Sequence, residues 1–164
     1  MDVLRAVVLI AATLSMGLMA GAFGLYAHTI MPGLRRTDDR VFVAAFRALD
    51  IAIINPWFMA GGFLGALVLS GVAALLHLGR AGHGVLPWVA AAFALYLVVV
   101  IVTGAVHLPL NNALKAADPD GTGVAAARER FGERRWARWN VLRAVLTTVA
   151  FGCLAWALVR YGRG

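Results

Sequence analysis

The sequence predicts an all-α protein: a bundle of four transmembrane helices with an amphipathic interfacial helix between the first and second. Three observations carry that prediction. Of the 164 residues 62% are apolar and only 14% charged, mean hydropathy is +0.81, and four stretches reach the roughly 20 apolar residues that cross a bilayer. A soluble domain is about 45–50% apolar and about 25% charged, so that class is excluded. A chain of 17.4 kDa is expected to form one integral membrane domain over residues 1–164, without room for a soluble catalytic domain beside an anchor. The single cysteine, Cys153, excludes an internal disulfide framework and any cysteine-rich metal site.

The first span is expected over about residues 4–29. It carries no charge after Arg5 and stops near Pro32-Gly33. A signal peptide competes for this stretch, but the apolar run exceeds the 7–15 residues of a typical signal core. Residues 38–50 follow with Val41, Phe42, Ala45, Phe46 and Leu49 at helical spacing, the pattern of a helix lying in the interface or folded back on the bundle. Thr37, Asp38 and Asp39 offer N-caps. The second span covers about residues 51–78, with Pro56 in its first turns, where proline is tolerated. The third covers about 87–108. A turn cluster over 117–123 then precedes a helix from Val124 to Arg138 that leads into the fourth span, about 139–159. Tyr26, Trp57, Trp88, Trp136, Trp139 and Tyr161 fall near span ends, as an interfacial aromatic belt would place them.

A formal net charge of +7 would suggest nucleic acid in a soluble protein. Here it divides by loop. Arg35, Arg36, Arg40 and Arg47 lie in loop 1, and Lys115, Arg128, Arg130, Arg134, Arg135 and Arg138 in loop 3; Arg5, Arg80, Arg160 and Arg163 lie at the other side. The positive-inside rule then sets loops 1 and 3 in the cytoplasm of a bacterial-type inner membrane, with both termini outside. A basic face toward anionic lipid explains the surplus without a nucleic-acid partner.

Polar side chains at bilayer depth are costly and mark sites or structural pairs. They gather at one end. His28 closes span 1, Asn55 opens span 2, Thr103, His107, Asn111 and Asn112 close span 3, and Trp136, Trp139, Asn140 and Arg143 open span 4. The opposite end has His77 and His83. Thr103, His107 and Asn111 share a face if the helix continues through Pro109; a kink there would instead free carbonyls. Gly17, Gly21, Gly24 and His28 form a stripe on span 1, repeated by Gly61, Gly62 and Gly65 on span 2, and close helix packing explains such glycines. Histidines near helix ends can be interfacial hydrogen-bonding residues, Asn140 and Arg143 a structural pair, and Asp50 a helix cap, a third ligand or a base.

The run Gly24-Leu25-Tyr26-Ala27-His28-Thr29-Ile30-Met31-Pro32-Gly33-Leu34, then Asn55-Pro56, then Leu108-Pro109-Leu110-Asn111-Asn112-Ala113-Leu114, then Trp136 and Trp139-Asn140-Val141-Leu142-Arg143, resembles the anthrone-oxygenase-like (DUF1772) family of small four-span membrane proteins. The resemblance implies oxidation of an anthrone to an anthraquinone with O2 as co-substrate. His28 or His107 would then be the base. Arg143, Asn111, Asn112 and Asn140 would stabilise the oxyanion, and Phe23, Tyr26, Asn55, Trp136 and Trp139 would contact a hydrophobic substrate arriving from the lipid. In a metal variant, His28, His107 and Asp50 would hold one iron or copper ion. A haem between His28 and His107, and a non-enzymatic transporter or accessory subunit, are the alternatives, and a homo-oligomer is open. No flavin or nicotinamide fingerprint is present.

Overall fold

The computed structural model describes residues 2–79, 84–118 and 121–163. His83 and Arg80 lie outside the described residues, as does part of the expected turn cluster. The described residues contain no strand. Among the described residues four helices are long and apolar enough to cross a membrane: span 1 (Asp2–Leu34), span 2 (Trp57–Leu76), span 3 (Leu86–Lys115) and span 4 (Glu133–Tyr161). Each packs on its sequence neighbours, and span 4 closes the ring on span 1. Neighbouring spans run antiparallel, so the loop helices that follow spans 1 and 3 meet at one end.

Buried residues explain why the ring closes this way. Span 1 buries Leu9, Ala12, Met16, Met19 and Phe23; span 3 buries Val89, Ala92, Tyr96 and Val99; span 4 buries Trp136, Asn140, Arg143, Thr147, Ala150, Leu154 and Ala157. All three series step by three and four residues, the seam of helices crossing near 20°. The glycine stripe on span 1 lies on a different face. A Cβ at Gly21 or Gly24 would meet nothing, and only Gly17 is pressed close, against the Phe151 ring.

Two loop helices cap one end. The helix Asp39–Ile53 starts at Asp38, whose carboxylate accepts from Val41 N at 2.9 Å, and it folds back on the bundle. Phe42, Val43 and Phe46 pack with Phe131, Leu114 and Trp136. This helix takes residues 51–53 that the sequence reading gives to span 2. The break falls at Ile54-Asn55 because proline disfavours helix in the residue before it, and the Asn55 side chain closes the turn by accepting from Phe58 N at 2.9 Å.

The continuous helix expected from Val124 into span 4 is also interrupted. The helix Val124–Phe131 ends at Gly132, where φ is +64°. That left-handed conformation suits glycine and terminates helices. Arg128 ties the corner. It donates to Glu133 at 2.5 Å, to Asp39 at 3.0 Å and to Thr37 O at 2.8 Å, and its guanidinium lies 4.4 Å from the Phe42 ring centre. The hydrogen bond to Glu133, followed by the pair with Asp39, raises Arg128 above the usual arginine range, so it stays charged.

Span 1 continues past its expected stop at Pro32, and span 3 past Pro109. Each contains a single π-helical turn just before the proline: Tyr26–Ile30 in span 1 and Thr103–His107 in span 3. Met31 N–H bonds Tyr26 O, and Leu108 N–H bonds Thr103 O, both five residues back. Proline lacks a donor and its ring crowds the carbonyl four residues earlier, and the wider turn accommodates both defects. Span 2 opens on a third π turn, Trp57–Phe63, directly after Pro56. Its freed carbonyls are used: Ser15 Oγ donates to Gly61 O at 2.8 Å and Tyr96 Oη to Phe63 O at 3.1 Å.

Candidate functional site

Among the described residues three π turns lie at the end of the bundle that carries the loop helices, and together they border one cavity. Extra residues in a helical turn push the backbone outward and re-aim side chains, which is why such turns recur at functional sites. The cavity measures about 190 Å³ and is lined by Phe23 and Tyr26 of span 1, Phe58, Met59 and Phe63 of span 2, Thr103, His107 and Asn111 of span 3, and Trp136 and Arg143 of span 4; Phe46 and Asp50 close it from the loop helix. Spans 2 and 3 pack along their α-helical parts and part at their π turns. Ile54 and Leu108 line the cavity there and are 56% and 47% exposed, which makes this gap its mouth.

The walls are aromatic, and the polar groups are few and held in fixed positions. Asn140 is fully buried: its Nδ2 donates to Phe23 O at 3.1 Å and its Oδ1 accepts from Arg143 Nη2 at 2.8 Å. Arg143 Nη1 donates to Thr103 Oγ1 at 3.1 Å, and the hydroxyl of Thr103 donates to Val99 O at 2.8 Å. The guanidinium sits 4.5 Å from the Phe23 ring centre and 5.7 Å from that of Trp136, within range of cation–π attraction. Its Nε has no hydrogen-bond partner, and among the described residues no carboxylate pairs with it. A buried cation without a counter-charge is costly. It is therefore a standing attraction for a negative or electron-rich ligand.

His107 is 1% exposed and stands edge-on to the Trp136 ring, with centroids 5.0 Å apart. The backbone of Val102 and of Trp136 approaches the imidazole, but neither ring nitrogen makes a hydrogen bond of good geometry. Beside it runs a polar chain. Trp136 Nε1 donates to Asn111 Oδ1 at 2.8 Å, Asn111 Nδ2 donates to Asp50 Oδ1 at 2.6 Å, and Lys115 Nζ lies 2.9 Å from Asp50 Oδ2. Asn111 thus fixes the tryptophan against which His107 rests.

The sequence model of the anthrone oxygenase family matches residues 56–153. The chain belongs to the anthrone oxygenase family. No curated protein and no solved structure matches it. The matched part of this anthrone oxygenase family member holds spans 2 and 3 and most of span 4, hence His107, Asn111, Trp136, Asn140 and Arg143. Phe23, Tyr26 and Asp50 lie before it.

Of the residues singled out from the sequence, the structure brings His107, Asn111, Arg143, Phe23, Tyr26, Trp136 and Asp50 to the cavity wall, with Asn140 directly behind. Four others are elsewhere. His28 is exposed and its Nδ1 is 2.6 Å from Thr29 Oγ1; Asn55 closes its turn; Asn112 and Trp139 are exposed away from the cavity. The iron or copper set is therefore not assembled: among the described residues no three His, Cys, Asp or Glu side chains converge. His28, the other histidine of the haem alternative, is exposed and does not line the cavity that His107 borders. Trp136 leaves the aromatic belt for the core and Tyr26 packs half-buried against it, whereas Trp57, Trp88 and Trp139 keep their exposed positions. Residues that sequence reasoning leaves out of the site are Phe46, Phe58, Phe63 and Lys115. The apolar spacing of the loop helix gives a sign of Phe46; nothing local marks the others.

Proposed function

We propose that the chain is a membrane oxygenase that oxidises a hydrophobic aromatic substrate carrying an acidic methylene beside a carbonyl, an anthrone or its like, with O2. The observation that carries this reading is the pair His107 and Arg143: two buried nitrogen groups with unengaged atoms on one aromatic-walled cavity. A neutral imidazole is a base suited to a carbon acid of this kind. His107 removes one methylene proton. The negative charge moves onto the substrate oxygen, where the Arg143 guanidinium stabilises it, pre-oriented by Asn140 and Thr103. The electron-rich carbon then passes its electrons to O2, forming a C–O bond and, after protonation, a hydroperoxide. Loss of the second methylene proton with cleavage of the O–O bond leaves a carbonyl and water. One substrate and one O2 give one quinone and one water, so the reaction needs no external reductant.

Cavity size agrees with lateral access. A dry cavity of about 150 Å³ holds benzene, so 190 Å³ encloses the reacting ring while the remainder of a longer substrate projects between Ile54 and Leu108 toward the lipid. Binding and chemistry at this end also fit loops 1 and 3 in the cytoplasm. A reporter fused to the C-terminus should then read as periplasmic, and a cytoplasmic signal contradicts that orientation.

The test of the function is O2 uptake with anthrone by the purified chain, compared with His107→Gln and Arg143→Gln. Loss of a general base or of an oxyanion donor costs on the order of 10²–10³ in rate. Parental turnover in both variants, with folded protein, contradicts the reading.

A further inference from the structure

The end of the bundle opposite the cavity holds a second polar constellation. Arg5, His77, Gly84, Arg160 and Arg163 border a recess of about 670 Å³ where the first turn of span 1 meets the ends of spans 2 and 4 and the start of span 3. Its components are anchored. Arg5 Nε donates to Leu76 O at 2.9 Å, at the last turn of span 2. The Tyr161 hydroxyl donates to Asp2 O at 2.6 Å, joining the chain's two ends. His77 is 1% exposed, packs edge-on to Tyr161 and has its Nδ1 2.7 Å from Ala73 O; its Nε2 has no partner among the described residues. Because Nδ1–H donates to the Ala73 carbonyl, the unpaired Nε2 accepts in the neutral ring and donates to an external oxygen only as the imidazolium, the form a bound anion favours.

Charge selects what that oxygen belongs to. Three guanidinium groups face the recess against one carboxylate, Asp2, which is 3.6 Å from Arg5 and 88% exposed. Arg160 and Arg163 have no carboxylate partner among the described residues. Arg160 Nη2 lies over Gly84, where an added Cβ would come within 3.3 Å, so the absent side chain leaves the guanidinium its position. Several guanidinium forks around one space match the oxygens of a phosphate. The surroundings point to the source: Val3, Leu75 and Leu78, within two residues in sequence of the lining residues Asp2 and His77, are 79%, 67% and 63% exposed and offer acyl chains an apolar surface. Basic pockets between spans bind anionic headgroups at the cytoplasmic rim, and the same guanidinium–phosphate pairing is available at the opposite rim.

We propose that this recess binds the phosphate of an anionic phospholipid from the leaflet at that end, held by Arg5, Arg160 and Arg163 with His77 at its floor. The ligand chemistry is a phosphate, and free phosphate is the competing source. The purified chain in neutral micelles is titrated with phosphatidylglycerol, phosphatidylcholine or inorganic phosphate, reading bound lipid by native mass spectrometry and protection against thermal unfolding. Phosphatidylglycerol should be retained and should raise the midpoint saturably, since a ligand at 100 times its Kd shifts the folding equilibrium about 100-fold. Arg160→Gln/Arg163→Gln, whose exposed side chains make no hydrogen bond or ion pair among the described residues, should weaken that response at least tenfold. Arg134→Gln/Arg135→Gln, at the other end, should leave it intact. Equal retention of phosphatidylcholine, or an undiminished response in the Arg160→Gln/Arg163→Gln protein, overturns the site. Protection by inorganic phosphate that matches the lipid's overturns the lipid as its source.

Discussion

Replacing Asn111 by leucine tests whether the wall of the cavity is held by the polar chain behind it. Leucine preserves bulk but removes the acceptor for Trp136 Nε1 at 2.8 Å and the donor to Asp50 at 2.6 Å. A hydrogen bond to a charged group contributes about 1.5–3 kcal/mol, and a buried donor left unpaired costs about 1–3 kcal/mol. Against that, hydrogen bonds between membrane helices average only about 0.6 kcal/mol and reach about 1.7. The Asn111 site is buried between span 3 and span 4, where a stranded indole N–H has no water to turn to, so a total of about 2–4 kcal/mol is expected. A double-mutant cycle with Trp136→Phe isolates the indole bond. Its coupling energy should fall near 1–1.5 kcal/mol, measured by reversible denaturation in mixed micelles. Costs that add to within about 0.5 kcal/mol would show that the Trp136–Asn111 bond does not hold the wall, and the role assigned to Asn111 would fall.

Two further outcomes follow from the same geometry. Gly65→Ala normally gains about 1 kcal/mol in a helix, but here its Cβ would run into the Ala60 carbonyl, a backbone atom that cannot step aside. The substitution should destabilise by roughly 1–3 kcal/mol and slow O2 uptake by disturbing the π turn that carries Phe58 and Phe63; a stabilised, fully active protein would contradict this. His28→Ala should keep O2 uptake within about twofold of the parent, since the side chain is exposed and outside the cavity; a loss comparable with that of a general base, on the order of 10²-fold, would bring His28 back into the chemistry.

The four spans are legible because apolar length and loop charge are strong, local signals. Span 4 shows how far such reading reaches. Trp136, Asn140 and Arg143 step by four and three, and all three are buried in the structure. Span 1 shows its limit. The sequence contains two candidate faces, a glycine stripe ending at His28 and a row of larger residues from Leu9 to Phe23. The larger row fills the bundle, since wide side chains are what occupy a four-helix core. The π turns are not visible to a 3.6-residue period, and only Pro32, Pro56 and Pro109 hint at them. They decide which side chains meet: Tyr26 turns to the cavity while His28, two residues on, does not. The Asp50–Lys115 pair joins helices distant in sequence, so no local pattern marks it.

The central claim is that His107 removes a proton from a carbon acid bound beside Arg143. Excluding O2 isolates that step. Anthrone incubated with the protein in deuterated buffer under anaerobic conditions should exchange its methylene protons faster than in buffer alone, with His107→Gln reduced to the buffer rate and Arg143→Gln slowed on the order of 10²–10³-fold. Exchange that proceeds as fast with His107→Gln as with the parent protein would contradict the account.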